Sequence, residues 1–190
     1  MVKKSNKPTF EFAMLKPNER LREMILYITE RHLDDSTFGA TKLNKILFFA
    51  DFLSYFETGL PVTGVAYRKD EFGPVPADIE KILKQMETSD EIAKRFFGGG
   101  WFKKTIYRPK RKADLAAFTK DQIAQVDAAI KMLAGKTAED ASDLSHKRFW
   151  RIARLGELIP YEFAFLSDNP LTAYDINRTK ELCSKYGWQN

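Results

Sequence analysis

The residues of this chain that could carry out acid–base chemistry lie around one histidine, His146. Asp143 precedes it on the same short segment, so a histidine paired with a carboxylate is one interpretation of the site. The other interpretation is a histidine that hydrogen-bonds locally and packs on Trp150. Ser145 is adjacent to His146 in sequence, and adjacency does not aim a base at a nucleophile. We favour the structural interpretation and keep a hydrolase centred on His146 and Asp143 as an alternative.

The signatures of metal and nucleotide sites are absent from the sequence. His32 is the only other histidine and Cys183 the only cysteine, so a zinc site would need carboxylates from remote segments. The triplet at 98–100 is followed by Trp101 without a helix start, which favours a turn over a phosphate cradle. The sequence therefore predicts a protein that is not an enzyme and has no metal and no cofactor.

The segment Lys103–Lys112 is the strongest candidate for binding nucleic acid. Its basic residues alternate with or follow aromatic ones, namely Trp101, Phe102, Lys103, Lys104, Tyr107, Arg108, Lys110, Arg111 and Lys112. Basic side chains bind phosphates and aromatic rings stack on bases. A solvated hairpin tip with its aromatic rings turned into the core is the interpretation we favour. The formal net charge of +5 also permits an acidic protein partner.

Most elements that would position these residues are predicted to be helices. Apolar residues recur at helical spacing over Pro17–Leu33 and over Thr41–Thr58, for which Thr41 is the predicted N-cap. The second helix is apolar on nearly every side, which predicts a central position in the core. One edge of it, formed by Phe48, Phe52 and Tyr55, could be exposed for docking. Further helices are predicted at Pro76–Met86, after a capping box at Thr119–Gln122, at Thr137–Ser145 and at Leu171–Tyr186.

Short extended segments are predicted between the helices. Val62–Arg68 has the composition of a strand, and Phe72–Pro76 that of a tight turn. Phe102–Arg108 and Ala113–Phe118 are predicted to be two strands that flank residues 109–112. The fold class is therefore mainly α (α+β), a single compact helical domain with a small β-hairpin or sheet element. The domain is expected to span residues 17–190, after a flexible basic tail at residues 1–16.

Composition bears on the compartment. No run of about 18 apolar residues is present, so no membrane span is expected. A single cysteine excludes a disulfide within the chain, which suits a reducing cytoplasm.

Several short motifs, taken in order, resemble those of the Panacea domain, the SocA-like antitoxin family of bacteria and phages. Lys42–Asp51 resembles the family's opening K-L-x-K-L-L-Y-F-A-D/H, and Pro61–Tyr67 resembles I-T-G-x-x-Y/F. Phe72–Pro76 resembles Y-G-P-V, and Ser142–His146 with Trp150 resembles L-S-x-x-S/T-H…W. The positions that carry the resemblance are Lys42, Leu43, Lys45, Phe49, Asp51, Thr63, Gly64, Gly73, Pro74, His146 and Trp150.

The resemblance implies the antitoxin of a type II-like toxin–antitoxin system, which binds and neutralises a toxin encoded by an adjacent gene. One branch of the family resembles a proteolytic adaptor that delivers its toxin to the ClpXP protease. Some members carry DNA-binding N-terminal segments, whereas here a short basic tail and one helix precede the motif. Because aromatic residues and arginine dominate interface energetics, we expect toxin contacts from Tyr55, Tyr67, Phe72, Trp101 and Arg108. Nucleic-acid binding through Lys103–Lys112 is the alternative.

Overall fold

Two long helices form the centre of the fold, α1 (Pro17–Glu30) and α2 (Ala40–Thr58). The computed structural model describes residues 8–98, 104–146, 152–166 and 172–186, so the predictions for Trp101, Lys103 and Trp150 lie outside the described residues. Helix α2 is buried on most of its circumference. Phe48 and Phe52 are buried with it, so the expected exposed edge at these two residues is wrong.

Four further helices come after α2 in the described parts of the chain. Their bounds are α3 (Ile79–Thr88), α4 (Lys120–Met132), α5 (Ala138–Ser145) and α6 (Ala173–Tyr186). Helix α4 starts with the predicted capping box, in which the Gln122 amide N–H donates to Thr119 Oγ1 at 3.1 Å. The predicted N-cap of α2 is wrong, because Gly39 and not Thr41 occupies that position. Helix α3 begins three residues later than predicted, because the residues before it belong to a strand and a turn.

The strands form two small antiparallel sheets. Their bounds are β1 (Tyr67–Asp70), β2 (Gly73–Pro76), β3 (Ile92–Phe97), β4 (Lys104–Pro109) and β5 (Leu158–Ile159). One sheet has the order β2-β1-β5, and β3 pairs with β4 in the other. The segment predicted as a turn at Phe72–Pro76 is therefore mostly strand, while the strand predicted at Val62–Arg68 begins only at Tyr67.

The partner of β4 differs from the one that the sequence predicted. Strand β4 pairs with β3, and the segment Ala113–Phe118 is not a strand. The amide N–H of Asp114 instead donates to the carboxylate of Glu23 on α1 at 2.7 Å. A tertiary contact to a helix thus replaces the strand pairing that local composition favoured.

The segment that precedes α1 packs on the domain from residue 9 onward. The amide N–H of Thr9 donates to the Glu162 carboxylate at 2.9 Å, and the Tyr161 amide donates to the Thr9 carbonyl at 3.0 Å. The ring of Phe12 lies edge-on to the Tyr161 ring at 5.2 Å. The predicted flexible tail at residues 1–16 is therefore wrong for this part, and residues 1–7 lie outside the described residues.

The fold class predicted from the sequence, mainly helical with small β elements, is confirmed. Within the described ranges, no helix is both long and apolar enough to cross a membrane.

Candidate protein-binding surface

A buried carboxylate, Asp51 on α2, joins three parts of the fold. It accepts hydrogen bonds from the Thr63 amide and hydroxyl, both at 2.5 Å, and from the Tyr67 hydroxyl at 2.8 Å. The Tyr161 hydroxyl lies 3.4 Å from the same carboxylate and donates to the Val65 carbonyl at 2.7 Å. Burial raises the pKa of the Asp51 carboxyl and of the Tyr67 hydroxyl. Asp51 thus fixes the loop before β1 and the segment after β5 against α2.

The same contacts correct one predicted binding residue. Tyr67 has no exposed surface, because its ring packs against Phe48 and Phe52 while its hydroxyl binds Asp51. It cannot contact a partner from this position. Tyr67 contributes to the core, and the motif that contains it is structural.

A second motif position, Lys45 on α2, has a buried amine that lies against the start of β2. Its side chain is 1% exposed, and its ammonium donates to the Pro74 carbonyl at 3.0 Å. Burial lowers the pKa of Lys45 to about 7. Gly73 adopts a φ of 95°, and a Cβ at this position would lie 2.7 Å from Lys45 Nζ and against the Ser145 hydroxyl. Glycine is therefore required here by both its backbone conformation and the space around it.

His146 lies beside Ser142, one turn earlier on α5. The Ser142 hydroxyl donates to the Phe72 carbonyl at 2.8 Å, and Ser142 Oγ lies 3.3 Å from His146 Nε2. A hydroxyl has one proton, so this Oγ accepts from Nε2–H. A serine nucleophile needs the opposite arrangement, in which the histidine takes the serine proton. Burial, and then the nearby Lys45 ammonium, lowers the pKa of His146.

The described part of the basic segment, residues 104–112, contacts its own protein. Arg111 binds the carboxylates of Glu23 at 2.7 Å and Glu91 at 2.5 Å, and these contacts raise its pKa. The other described pairs are Lys104 with the Ser36 carbonyl, Arg108 with the Leu33 carbonyl, and Lys110 with Asp90. These side chains connect β4 and the residues after it to α1, to the loop after α1 and to the turn before β3.

A groove opens beside the β3–β4 hairpin, between the start of α2, the β1–β2 hairpin and α3. Its volume is about 220 Å³. Apolar side chains form most of its floor and charged ones its rim, with Leu43, Val75, Ile79, Leu83, Tyr107, Arg68, Asp70 and Glu80 among the lining residues. Phe72 stands at the edge of the groove with 63% of its surface exposed.

A second cavity of about 270 Å³ lies between the α1–α2 loop and the β3–β4 hairpin, and Tyr107 lines it as well. His32 and Phe38 stack at 4.3 Å in its wall, and burial lowers the pKa of His32. Phe97 and Arg108 also line it. Tyr107 lines both cavities, and we refer to the two together as the Tyr107 surface.

The residues predicted to bind a partner are distributed unevenly. Phe72 and Arg108 lie on the Tyr107 surface, although the Arg108 guanidinium is engaged with the backbone. Tyr55 is partly buried near the other end of α2, 5.4 Å from the Tyr161 ring. Phe97 also lines this surface but was not predicted as a binding residue, because the glycines after it predicted a loop. The two aromatic residues that follow two basic ones, at positions 94–97, are compatible with an exposed strand.

Residues 43–151 match a family model described as an antitoxin SocA-like, Panacea domain. No curated protein and no solved structure matches the chain. The matched residues include both hairpins, α3 and every motif position named above except Lys42.

Proposed function

This chain belongs to the SocA-like antitoxins with a Panacea domain, and from that premise we propose that it neutralises a cognate toxin by direct protein–protein binding. The family match over residues 43–151 is the observation that carries the proposal. The toxin is expected to be encoded by an adjacent gene.

The Tyr107 surface is the part of the described structure that best suits such a partner. It combines apolar floors with charged rims and an exposed aromatic side chain, Phe72. Buried aromatic anchors surrounded by polar rims carry most of the binding energy in protein interfaces. We place the toxin contacts here and assign the buried motif residues Asp51 and Lys45 to the fold.

Co-expression tests the proposal. Induction of the adjacent gene alone should stop growth, and simultaneous induction of this chain should restore it. An adjacent product that is harmless alone, or that remains toxic in the presence of this chain, would overturn the proposal.

The Phe72→Ala variant tests the place of binding. Because the Phe72 side chain is exposed, its removal should leave the thermal midpoint nearly unchanged and weaken toxin binding about tenfold or more. Met14→Ala is the matched control, since Met14 is also an exposed apolar side chain and lines neither cavity. Isothermal titration with purified toxin provides the measurement. Equal affinities of the two variants would place the interface elsewhere.

Two mechanisms of neutralisation are distinguished by the toxin level. A steric block leaves the amount of toxin unchanged when this chain is co-expressed. Delivery to ClpXP lowers it, and the loss disappears in cells without ClpXP. We propose the steric block. The concave apolar surface at Tyr107 can bind the toxin directly, and this mechanism does not require ClpXP.

Nucleic-acid binding through Lys103–Lys112 has less support. Lys104, Arg108, Lys110 and Arg111 are each engaged within the protein, which leaves fewer basic groups for phosphates.

A further inference from the structure

Strand β3 is one edge of a two-stranded sheet. Its partner β4 packs against α1 and α2, while β3 packs against α3 and is buried only at its first residue, Ile92, with Ala93 partly buried. From Lys94 to Phe97, all four side chains of β3 are exposed, so both faces of this part of the strand meet solvent. An exposed edge strand is a template for pairing with another chain unless it is protected.

The hydrogen-bond phase of the hairpin shows which backbone groups face outward. The Lys110 amide N–H donates to the Glu91 carbonyl at 2.8 Å. In the observed register, the pairs Ala93–Arg108 and Arg95–Ile106 are then the hydrogen-bonded ones, because such pairs alternate along antiparallel strands. The N–H and C=O of Lys94 therefore point away from β4. Pro109 has no N–H. It lies opposite Ile92 in a pair that is not hydrogen-bonded, so the sheet loses no hydrogen bond there.

The charge of the hairpin is of one sign. Residues 92–110 contain no Asp or Glu, and their basic members are Lys94, Arg95, Lys103, Lys104, Arg108 and Lys110. The Arg95 side chain is exposed. The Lys94 ammonium lies 5.3 Å from the centre of the Phe96 ring. The exposed part of β3 thus presents two cations together with two aromatic rings.

We infer that the outer edge of β3 binds an extended acidic segment of the toxin, which adds to the hairpin as a third strand. This inference deepens the proposed function and rests on it. Backbone hydrogen bonds at Lys94 supply directional contacts, and carboxylates on the added strand face Lys94 and Arg95. Apolar side chains on the same strand pack on Phe96 and Phe97. The face with Phe97 borders the Tyr107 surface, so both contact regions can serve one partner.

The charge contribution is tested by the double reversal Lys94→Glu/Arg95→Glu. Affinity for the purified toxin should fall about tenfold or more, with a smaller dependence on salt than in the unmodified chain. The matched control is Lys120→Glu/Lys131→Glu, which makes the same change in net charge on exposed positions of α4. The control should retain affinity within about twofold.

The backbone contribution is tested by comparing Lys94→Pro with Lys94→Ala. Both variants remove the ammonium, but only proline removes an N–H that β4 does not use. The hairpin should therefore persist in both variants, which circular dichroism and the thermal midpoint check. Proline should weaken toxin binding about fivefold beyond alanine, as expected for the loss of an interface hydrogen bond.

Each outcome of these titrations decides something. Loss in the charge reversal and a further loss with proline support the added strand. Binding that depends on charge but is equal for proline and alanine overturns it, as does competition by a single-stranded oligonucleotide, which would indicate an electrostatic nucleic-acid surface. Full toxin binding by every variant overturns the inference and leaves the proposed function standing. No binding by the unmodified chain overturns both.

Discussion

At the scale of single residues, Asp51 illustrates how a family motif can serve the fold and not the interface. Its carboxylate satisfies two groups of Thr63 and the hydroxyl of Tyr67 in an environment without solvent. Removal of such an acceptor leaves several buried donors unpaired, which costs more than the loss of one hydrogen bond.

Asp51→Ala should therefore lower the free energy of unfolding by about 3 kcal/mol or more. Urea denaturation provides the measurement. Asp143→Ala, at an exposed position of α5, is the control and should change stability by about 0.5 kcal/mol or less. A loss at Asp51 no larger than that of the control would contradict the structural role.

Lys45 should make stability depend on pH in a defined direction. The unfolded chain keeps the ordinary lysine pKa of 10.5, whereas the folded value is about 7. Below about pH 7 both states are protonated and the full cost of burying the ammonium is present. Above about pH 7, the unfolded state binds more protons than the folded state. The free energy of unfolding therefore rises with pH until the pH reaches the pKa of Lys45 in the unfolded chain.

The Lys45→Met variant isolates this effect. Between about pH 7 and about pH 9, the unmodified chain should gain up to about 1.4 kcal/mol per pH unit, and the variant should lack this gain. Burial lowers the pKa of the neighbouring His146 from its ordinary value, so this imidazole gains no proton between the two pH values. Urea denaturation at the two pH values is the measurement. Identical slopes for the two proteins would show that Lys45 does not titrate there.

At the scale of elements, the contact of the β1–β2 hairpin with α2 and α5 depends on Gly73. A side chain there would press on Lys45 and Ser145 and would also adopt an unfavourable positive φ. Gly135 has a similar φ of 68° but open space around it. The two glycines therefore separate backbone strain from crowding.

Gly73→Ala should destabilise the protein by about 3 kcal/mol, and Gly135→Ala by about 1 kcal/mol. The difference between the unfolding free energies of the two variants, from thermal or urea denaturation, measures the crowding together with the less favourable φ of Gly73. Equal losses would mean that the hairpin moves away from α2 without cost.

The elements that the sequence predicted correctly are those whose signal is local. The apolar pattern of α2 and the capping box at Thr119 and Gln122 depend on neighbours within a few residues. The partner of β4 could not be predicted in this way, because contacts with α1 and α2 decide which segment pairs with it.

The candidate surface shows the same division. Phe72 was identified because it belongs to a recognisable motif, and its exposure is that of a hairpin tip. Tyr67 was wrongly assigned to the interface. Its burial depends on Asp51, which lies on another element, and the sequence around Tyr67 does not reveal that contact. Arg95 and Phe97 were overlooked because their exposure depends on the outer position of β3.

At the scale of the whole molecule, the described residues divide into a buried frame and an open surface. The frame contains the ionisable motif residues Lys42, Lys45 and Asp51, each with buried side chains and partners inside the protein. The open surface carries the two cavities beside Tyr107 and the outer strand β3. The fold therefore uses the frame residues for its own packing and leaves the side chains of the open surface available to a partner.

We propose above all that this protein acts by binding another protein. Titration of the purified adjacent-gene product into the purified chain tests this proposal most directly. We predict saturable binding with a dissociation constant of about 1 μM or lower, weakened by Phe72→Ala and unchanged by Met14→Ala. The absence of binding at about 100 μM protein would contradict the claim.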